Sequence, residues 1–505
     1  MMGKHERQKN LFSYGVDLDK RVRLDHPLRK VDEQVDFSFV REEVADKYGS
    51  NGNVSVDPEV VLKLMFLLFW DNVRSERELM RILPERLDYL WFLGYGLDDA
   101  IPDHSVLSKA RARWGADAFE KMFLRSVSQC VEARLVSNEL LHMDGSLIDA
   151  NASRDSVVKS DPEMIARLRE VYGAQEAKLE GCKSDSSKGR LANATLISPT
   201  DPDAPCARKK TGGESKPRYK AHRAVDDEHG VVTATITSPG DVEENAKMLA
   251  LLHQHRANVG GLPQSAVADS QYGTSENYRD FVALGVATHM KPHSGRKRHV
   301  EVYGAERFRY DAASDTYACP AGERLYPRSP DKIRMSVEYA VRKGTCDRCS
   351  LRPQCTKAKL GRTVQRRWGQ ELIDQGLEQS RSEPAHRSRA RRKWRMEGSF
   401  AQSANLHGFK RSRWRRLWRQ RIQDHIICAI ENVKILIANA SGPRKSPAVV
   451  ISRVQGPAIT AFARIARVAI SILEALSKSA GGDAKRPEIQ FRALYPLFGQ
   501  QPLYL

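Results

Sequence analysis

The chain has 505 residues, 41% of them hydrophobic, enough for about three domains with real cores and no need of covalent staples. Lys and Arg number 82 against 63 Asp and Glu, a formal net charge of +19 that favours a polyanionic partner, nucleic acid first among them. The most apolar run, Val60 to Trp70, contains Lys63 and is far short of the roughly 20 residues of a membrane span, and the charged amino terminus lacks the apolar centre of a secretory signal, so membrane and secreted classes are excluded and a cytoplasmic location is expected.

The first 135 residues read as helices. Asp57 and Pro58 pair a cap with a first-turn proline, and Val60, Val61, Leu64, Met65 and Leu68 then share one helical face. Ser75 and Glu78 have capping-box spacing before Leu79, Ile82 and Leu83. PDHSVLSKARARWG opens a further helix near Pro102 or Asp103 that carries Lys109, Arg111 and Arg113. Two short helices followed by a basic one suit a helix-turn-helix-like contact with DNA, and also any helical bundle with a solvated face.

From Leu140 the pattern turns to strands. LLHMDGSLIDANAS reads as an apolar strand ending on Asp144, followed by Gly145. A helical piece, Asp161 to Glu180, leads into a Ser-, Pro-, Gly- and Lys-rich exposed loop. RYKAHRAVDDEHGVVTATITSPG alternates around DDEHG as an antiparallel hairpin, and GLPQSAVADSQYGT repeats the earlier arrangement, a short strand delivering Asp269 into a polar turn. Helical segments between these strands make the class mixed α/β, a sheet flanked by helices with an amino-terminal all-α region. Beyond Arg296 come short strands and cysteines to about Lys359, then a basic helix, Pro384 to Leu406, ending near Gly408. After it, Ile422, Ile426, Ile430, Val433 and Leu436 mark a core helix. SGPRKSPA is linker-like, and Ile459 to Ala480 has a helical pattern.

Two aspartates at strand ends suit a hard divalent cation, Mg²⁺ or Mn²⁺, which takes oxygen ligands. From His386 to Arg421 thirteen Lys or Arg residues surround a single acid, Glu397. It is either an ordinary salt-bridge partner or the third carboxylate of a site for two metal ions acting on a phosphodiester. The flanking cations would hold a DNA backbone without reading sequence, whereas Trp394, Trp414 and Trp418 are expected to pack internally more than to stack on bases. Cys346, Cys349 and Cys355 form C-x2-C-x5-C with Cys319 upstream, a set that could close a structural zinc site or could be buried reduced thiols; Cys130, Cys182, Cys206 and Cys428 are scattered.

At these residues the chain resembles the bacterial insertion-sequence transposases of the DDE type. WFLGYGLDD and PDHSVLSKARAR are similar to the amino-terminal helical domain of that family. HMDGSLIDANAS, TDPDA, YKAHRAVDDEHGVV, VADSQYGT, MEGSFAQSANLHGFKRSRWRR and ENVKIL follow in family order. The resemblance implies a ribonuclease-H-like catalytic domain, catalytic and metal-binding roles for Asp144, Asp269 and Glu397 with two Mg²⁺ or Mn²⁺ ions, and a Cys-bearing insertion before the glutamate. It implies cleavage at the ends of the element and joining of the freed 3′-hydroxyls to target DNA. The expected partners are the double-stranded terminal inverted repeats and the target, with two copies of the chain meeting on DNA as a homodimer in the bacterial nucleoid. Expected DNA contacts are Lys109, Arg111, Arg113, Lys393, Lys410, Arg411 and Arg413, together with Lys220 and His222, which with Asp226 match the family's pattern in the hairpin and for which a structural role is at least as open as contact with substrate. Lys393 occupies the family's cationic position four residues before the glutamate; Ala404 stands where the family has a lysine seven after it, with Lys410 or Arg411 as substitutes.

The expected organisation is a helical, DNA-binding segment 1–135, a catalytic segment 136–295, the Cys-bearing insertion 296–375, a second catalytic segment 376–440 with the glutamate helix, and a linker and helical tail 441–505. A competing reading is a transposase-derived DNA-binding regulator without catalysis, against which the presence of all three acids argues.

Overall fold

The computed structural model describes residues 2–3, 17–49, 53–159, 163–168, 170–171, 196–209, 213–293, 302–332 and 334–439. The tail 441–505, Cys182 and most of the Ser-, Pro- and Lys-rich loop lie outside the described residues.

The amino-terminal region is helical. Helix α1 (Pro58–Trp70) starts where Asp57 caps the Glu59 amide, and α2 (Glu76–Ile82) where Ser75 caps Glu78. Both starts follow from short polar side chains satisfying amides that have no intrahelical partner. Helix α1 is buried on every side; its one charged residue in the middle, Lys63, is tolerated because Asp32 and Glu59 pair with it at 2.9 and 3.2 Å. The basic stretch forms α3 (Ser105–Trp114), and α4 (Asp117–Glu132) leads into the sheet.

The mixed sheet is built around β1 (Leu140–Asp149). On one side it pairs antiparallel with β3 (Ser215–Asp226), which in turn pairs with β2 (Cys206–Arg208) and β4 (Val232–Pro239). On the other side β5 (Ser265–Val267) and β6 (Ala287–Thr288) run parallel to it. Helices α5 (Met248–Val259) and α6 (Ser275–Ala283) complete the βα connections, and Leu141 and Met143 share a buried cluster with Met248, Leu251 and Leu252 of α5. Because side chains alternate along a strand, His142, Asp144, Ser146 and Ile148 face the other way. The expectation that the strand ends at Asp144 is corrected: β3 supplies a register partner for every residue from Leu141 to Asp149, with Asp144 opposite Arg223 and Gly145 opposite His222.

A separate five-stranded antiparallel sheet follows, of β7 (Arg309–Asp311), β8 (Thr316–Ala318), β9 (Arg324–Pro327), β10 (Ser336–Ala340) and β11 (Thr363–Arg367), packed around Phe308, Tyr317, Leu325, Tyr339 and Val364. Helix α7 (Gln370–Arg381) leads back to the long basic helix α8 (Glu383–His407), which is capped by Ser382 and stopped by Gly408 at φ 65°. The last helix, α9 (Leu417–Asn439), packs against α4 and β4, where the Asn432 amide both accepts from and donates to the backbone of Val232. One hydrophobic core includes Leu64 and Phe92 of the amino-terminal helices, Ile148 and Tyr219 of the sheet, and Ile426 and Val433 of α9. Among the described residues no helix is long and apolar enough to cross a membrane.

Candidate active site

Asp144 lies in the middle of β1, its side chain about one-fifth exposed. Its Oδ1 accepts the Gly145 amide at 2.8 Å and its Oδ2 lies 2.8 Å from Nη1 of Arg392 on α8. Burial pushes its carboxyl above the usual range, the Arg392 charge pulls it down, and the charge of Asp269 pushes it up again. Asp269 follows the end of β5 and caps the short turn Ser270–Tyr272, accepting the Gln271 amide at 2.7 Å. Parallel neighbours β1 and β5 therefore bring Asp144, midway along β1, level with Asp269 just past the end of β5.

Glu397 lies on α8, exposed, and makes no hydrogen bond or ion pair with the described residues. The helix itself is fixed: Asp227 receives Arg391 at 2.7 Å and His142 at 2.8 Å, and its backbone carbonyl accepts from Arg395. Arg389 bonds the carbonyls of Ser380 and His289 at 2.7 and 3.2 Å. Among the described residues no group of three or more acids, cysteines or histidines stands ready to hold a metal ion.

A further acid stands beside the aspartates. Glu244 opens the turn Glu244–Lys247, which packs against Ser270–Tyr272. Burial raises its carboxyl, Lys220 at 3.4 Å lowers it, and the charges of Asp144 and Asp269 raise it. Sequence reasoning passed over this residue because DVEEN reads as a solvated polar turn; the signal was a lysine, Lys220, placed on an otherwise buried strand. Tyr272 belongs to the quoted VADSQYGT motif, but its alignment with the acids was not legible there.

The expected DNA contacts divide by burial. Lys109, Arg113, Lys393, Lys410 and Arg411 are exposed, and Lys410 reaches Ser146 on β1. Arg111 does not face solvent: it is buried, paired to Glu76, and stacked 4.1 Å over Trp414. Arg413 bonds Val73 and Asn72 and covers Phe69, tying the loop after α8 to the amino-terminal helices. His222 is fully buried against Ser238 at 2.9 Å and its imidazole is pushed down to about 3 by burial, so it is a neutral core residue. Lys220 is buried too, its ammonium held by Glu244 and the Val242 carbonyl. The tryptophans also divide: Trp414 and Trp418 pack on the core, whereas Trp394 is exposed beside Arg395. Cys319, Cys346, Cys349 and Cys355 line one small cavity of about 30 Å³ next to the antiparallel sheet.

Two family models match: a "Transposase domain (DUF772)" over residues 16–113 and a "Transposase DDE domain" over residues 318–437. The second covers the four cysteines and Glu397. No curated protein matches the chain. Among solved structures, a piggyBac transposase synaptic complex with hairpin DNA is similar at 13% identity and a TM-score of 0.33, over 84% of this chain and 77% of that one. The amino-terminal helices are thus similar to one transposase domain, and the region that bears the four cysteines and the glutamate helix is similar to a transposase DDE domain.

Proposed function

We propose that the chain cuts the ends of its own insertion sequence and joins the freed 3′-hydroxyls to target DNA by metal-dependent phosphoryl transfer, with Asp144, Asp269 and Glu397 as the catalytic acids. The observation that carries this reading is that two adjacent parallel strands bring Asp144, midway along β1, level with Asp269 just past the end of β5, beside the helix that bears Glu397. The sheet order supports a ribonuclease-H-like catalytic domain over 136–295 and 376–440: a central strand, antiparallel partners on one side and parallel ones on the other. Segment 1–135 is read as the DNA-binding region and 296–375 as the insertion.

The donor set suits Mg²⁺ or Mn²⁺, because the acids offer hard oxygens and the nearby Tyr272 hydroxyl has no protein partner. Asp144 and Asp269 would hold the ions, with Glu397 joining from α8. Two bound ions would supply activation of the attacking oxygen and stabilisation of the leaving one. The chain's own contribution is positioning. Exposed Lys393, Lys410 and Arg411 would fix the phosphate backbone without reading bases, and Lys410 lies near enough to Asp144 to feel its charge. Lys410 is best placed for this, since Ser146 directs it along the strand that carries Asp144. Two DNA ends must be brought together, which a homodimer on the terminal repeats would accomplish.

The test is incubation of the protein with duplexes carrying the element's ends and Mg²⁺, followed by resolution of nicked and joined products. Cleavage and strand-transfer joints that vanish in Asp269→Ala, with DNA retention unchanged, are the expected result. Retention without cleavage by the unaltered chain would replace this reading with that of a DNA-binding regulator.

A further inference from the structure

We infer that the outward face of the small antiparallel sheet, built on Arg309, Arg324, Tyr326 and Arg342, is a further docking surface for duplex DNA, one that holds the phosphate backbone without reading bases. The inference rests on the reading of the chain as an enzyme that cuts DNA, and extends its DNA contacts to a segment outside those expected from the sequence.

Residues 302–367 carry 15 Lys and Arg against seven Asp and Glu, a net charge of +8 within a chain whose total is +19. The sheet register gathers part of that charge on one face. Arg309 on β7 and Arg324 on β9 both lie opposite Ala318 of the intervening β8, and residues paired in this way point to the same side. Tyr326, two positions after Arg324, shares that side and lies opposite Ala340. The Arg342 guanidinium sits 5.1 Å from the centre of the Tyr326 ring, which brings a third cation to the face. The other side is the one that packs, with Tyr317, Leu325, Tyr339 and Val364 buried. Strands about 5 Å apart put Arg309 and Arg324 roughly 10 Å from each other across a small residue, so a nucleic-acid backbone can lie along the surface between them.

The acids of the sheet do not neutralise this face. Glu338 is taken by Arg328 at 3.1 Å and Asp331 by Arg334 at 3.6 Å, while Asp311 accepts from the Ala313 amide and the Ser314 hydroxyl at 3.1 and 2.7 Å. Arg309, Arg324 and Arg342 are exposed, and among the described residues none of them has an acid within ion-pair distance. Like charges collected on one face repel, so the arrangement costs the sheet stability unless an anion balances it. Protection of exposed sheet edges would account for cations on β7 and β11, but not for Arg324 and Tyr326 on the central strand β9. The sheet is also tied to the catalytic region, since Arg367 of β11 reaches Glu276 at 2.8 Å on α6, the helix that begins shortly after Asp269.

The experiment is the binding of a labelled duplex of arbitrary sequence to the full chain without divalent metal, read by fluorescence anisotropy over a series of KCl concentrations. The wild type is compared with Arg324→Gln, Arg324→Lys, the triple variant Arg309→Gln/Arg324→Gln/Arg342→Gln, and Arg256→Gln, which removes an exposed cation on α5. Thermal unfolding checks that each variant is folded. The triple variant should bind about tenfold or more weakly, and its slope of log Kd against log salt should fall by about two to three, since each phosphate contact contributes roughly 0.9. Arg324→Gln should weaken binding and Arg324→Lys should not, a rescue that a folding defect cannot imitate. Arg256→Gln should leave affinity and slope unchanged. Wild-type affinity and slope in the triple variant overturn the inference and leave the reading of the three acids intact. A triple variant weakened towards single strands alone, tested in parallel, overturns the assignment to duplex. A wild type that binds no duplex at low salt overturns both the inference and the reading beneath it.

Discussion

Arg392 and Asp144 form an ion pair between the long basic helix and the central strand, with 2.8 Å between the guanidinium nitrogen and Oδ2 and both side chains about one-fifth exposed. The pair sits five residues before Glu397 and holds one turn of that helix directly over the strand. Arg392→Gln leaves Asp144 beside Asp269 and Glu244 without its counter-charge. The expected loss is about 1–2 kcal/mol at neutral pH, kept small by partial solvent access. Added Mn²⁺ should restore more stability to the variant than to the wild type, because the ion then replaces a missing charge rather than competing with a present one. Thermal unfolding with and without Mn²⁺ measures both effects; equal melting of the two proteins under both conditions would refute the account.

Gly145→Ala tests the packing of Glu244 on the strand. The backbone of Gly145 is ordinary strand, so strain comes from the new methyl group meeting the Glu244 carboxylate and not from the backbone angles. The cost should be about 1–3 kcal/mol in the wild-type background. In a Glu244→Ala background most of that cost should disappear, since the obstructing side chain is gone. Denaturant unfolding of the four proteins closes the cycle, and additive effects would show that the two residues do not touch.

Arg223 is the largest fully buried side chain. Its guanidinium reaches Ser403 at 2.8 Å, Glu431 at 3.1 Å and Ser399 at 3.2 Å, and lies over the rings of Phe400 and Phe409. It thereby joins β3, α8 and α9 through one charge. Arg223→Met strands Glu431 in the interior and should cost about 3–5 kcal/mol, whereas the double variant with Glu431→Leu should recover a good part of it. Chemical denaturation distinguishes the two; a double variant no more stable than the single would mean that the arginine acts through packing alone.

Much of this architecture could be read from local chemistry. Asp57, Ser75 and Gly408 mark helix ends because their side chains, or the lack of one, satisfy or relax the terminal backbone, and such signals involve only near neighbours. Asp269 after a short apolar strand was equally legible. The extent of β1 was not, because the residues that keep it extended through Gly145 belong to β3, about eighty positions further on. For the same reason Arg111 and Arg413 looked like surface cations: their partners Glu76, Asn72 and Trp414 lie on other elements. Glu244 and Arg392 reach the acid site through tertiary packing alone, with no spacing that links them to Asp144.

Acid should weaken the fold through histidines held neutral in the interior. His425 on α9 stacks on Phe123 at 5.9 Å, and burial, helped by the charge of Arg421, pushes its imidazole down to about 4. In the unfolded chain the same group titrates near 6.5. Above that value neither state is protonated and the residue adds no pH dependence. As pH falls from about 6.5 towards 4 the unfolded chain takes up a proton that the folded one refuses, so stability declines through that window and levels off below the folded value. His425→Phe keeps the stacking and removes the titration. The gap in unfolding free energy between variant and wild type should therefore widen by about 2–3 kcal/mol between pH 7 and about pH 4.5. A gap independent of pH would show that His425 titrates normally in the folded protein.

Zinc is the remaining expectation to test: the four cysteines share a cavity, although among the described residues their sulfurs do not stand as a ready metal site. Cys319, Cys346, Cys349 and Cys355 line one cavity, the Cys346 sulfur accepts the Arg362 amide at 3.5 Å, and burial raises the Cys355 thiol, with the neighbouring sulfurs adding to the effect and Arg362 opposing it. As free thiols, four such groups gain little from being gathered at the edge of a small sheet whose core is a few tyrosines and aliphatic residues. As thiolates on zinc they would close the loops at that edge, and the binding free energy would become folding free energy for 302–367. Protein purified without chelator should carry about one zinc per chain, on the stoichiometry of a four-thiolate site. Chelation should expose the amides of that sheet to hydrogen exchange while leaving those of β1 and β3 protected, and Cys346→Ser should do the same without chelator. Protein that holds no stoichiometric zinc, with exchange in the sheet unaltered by chelator, would identify the four residues as packed, reduced cysteines.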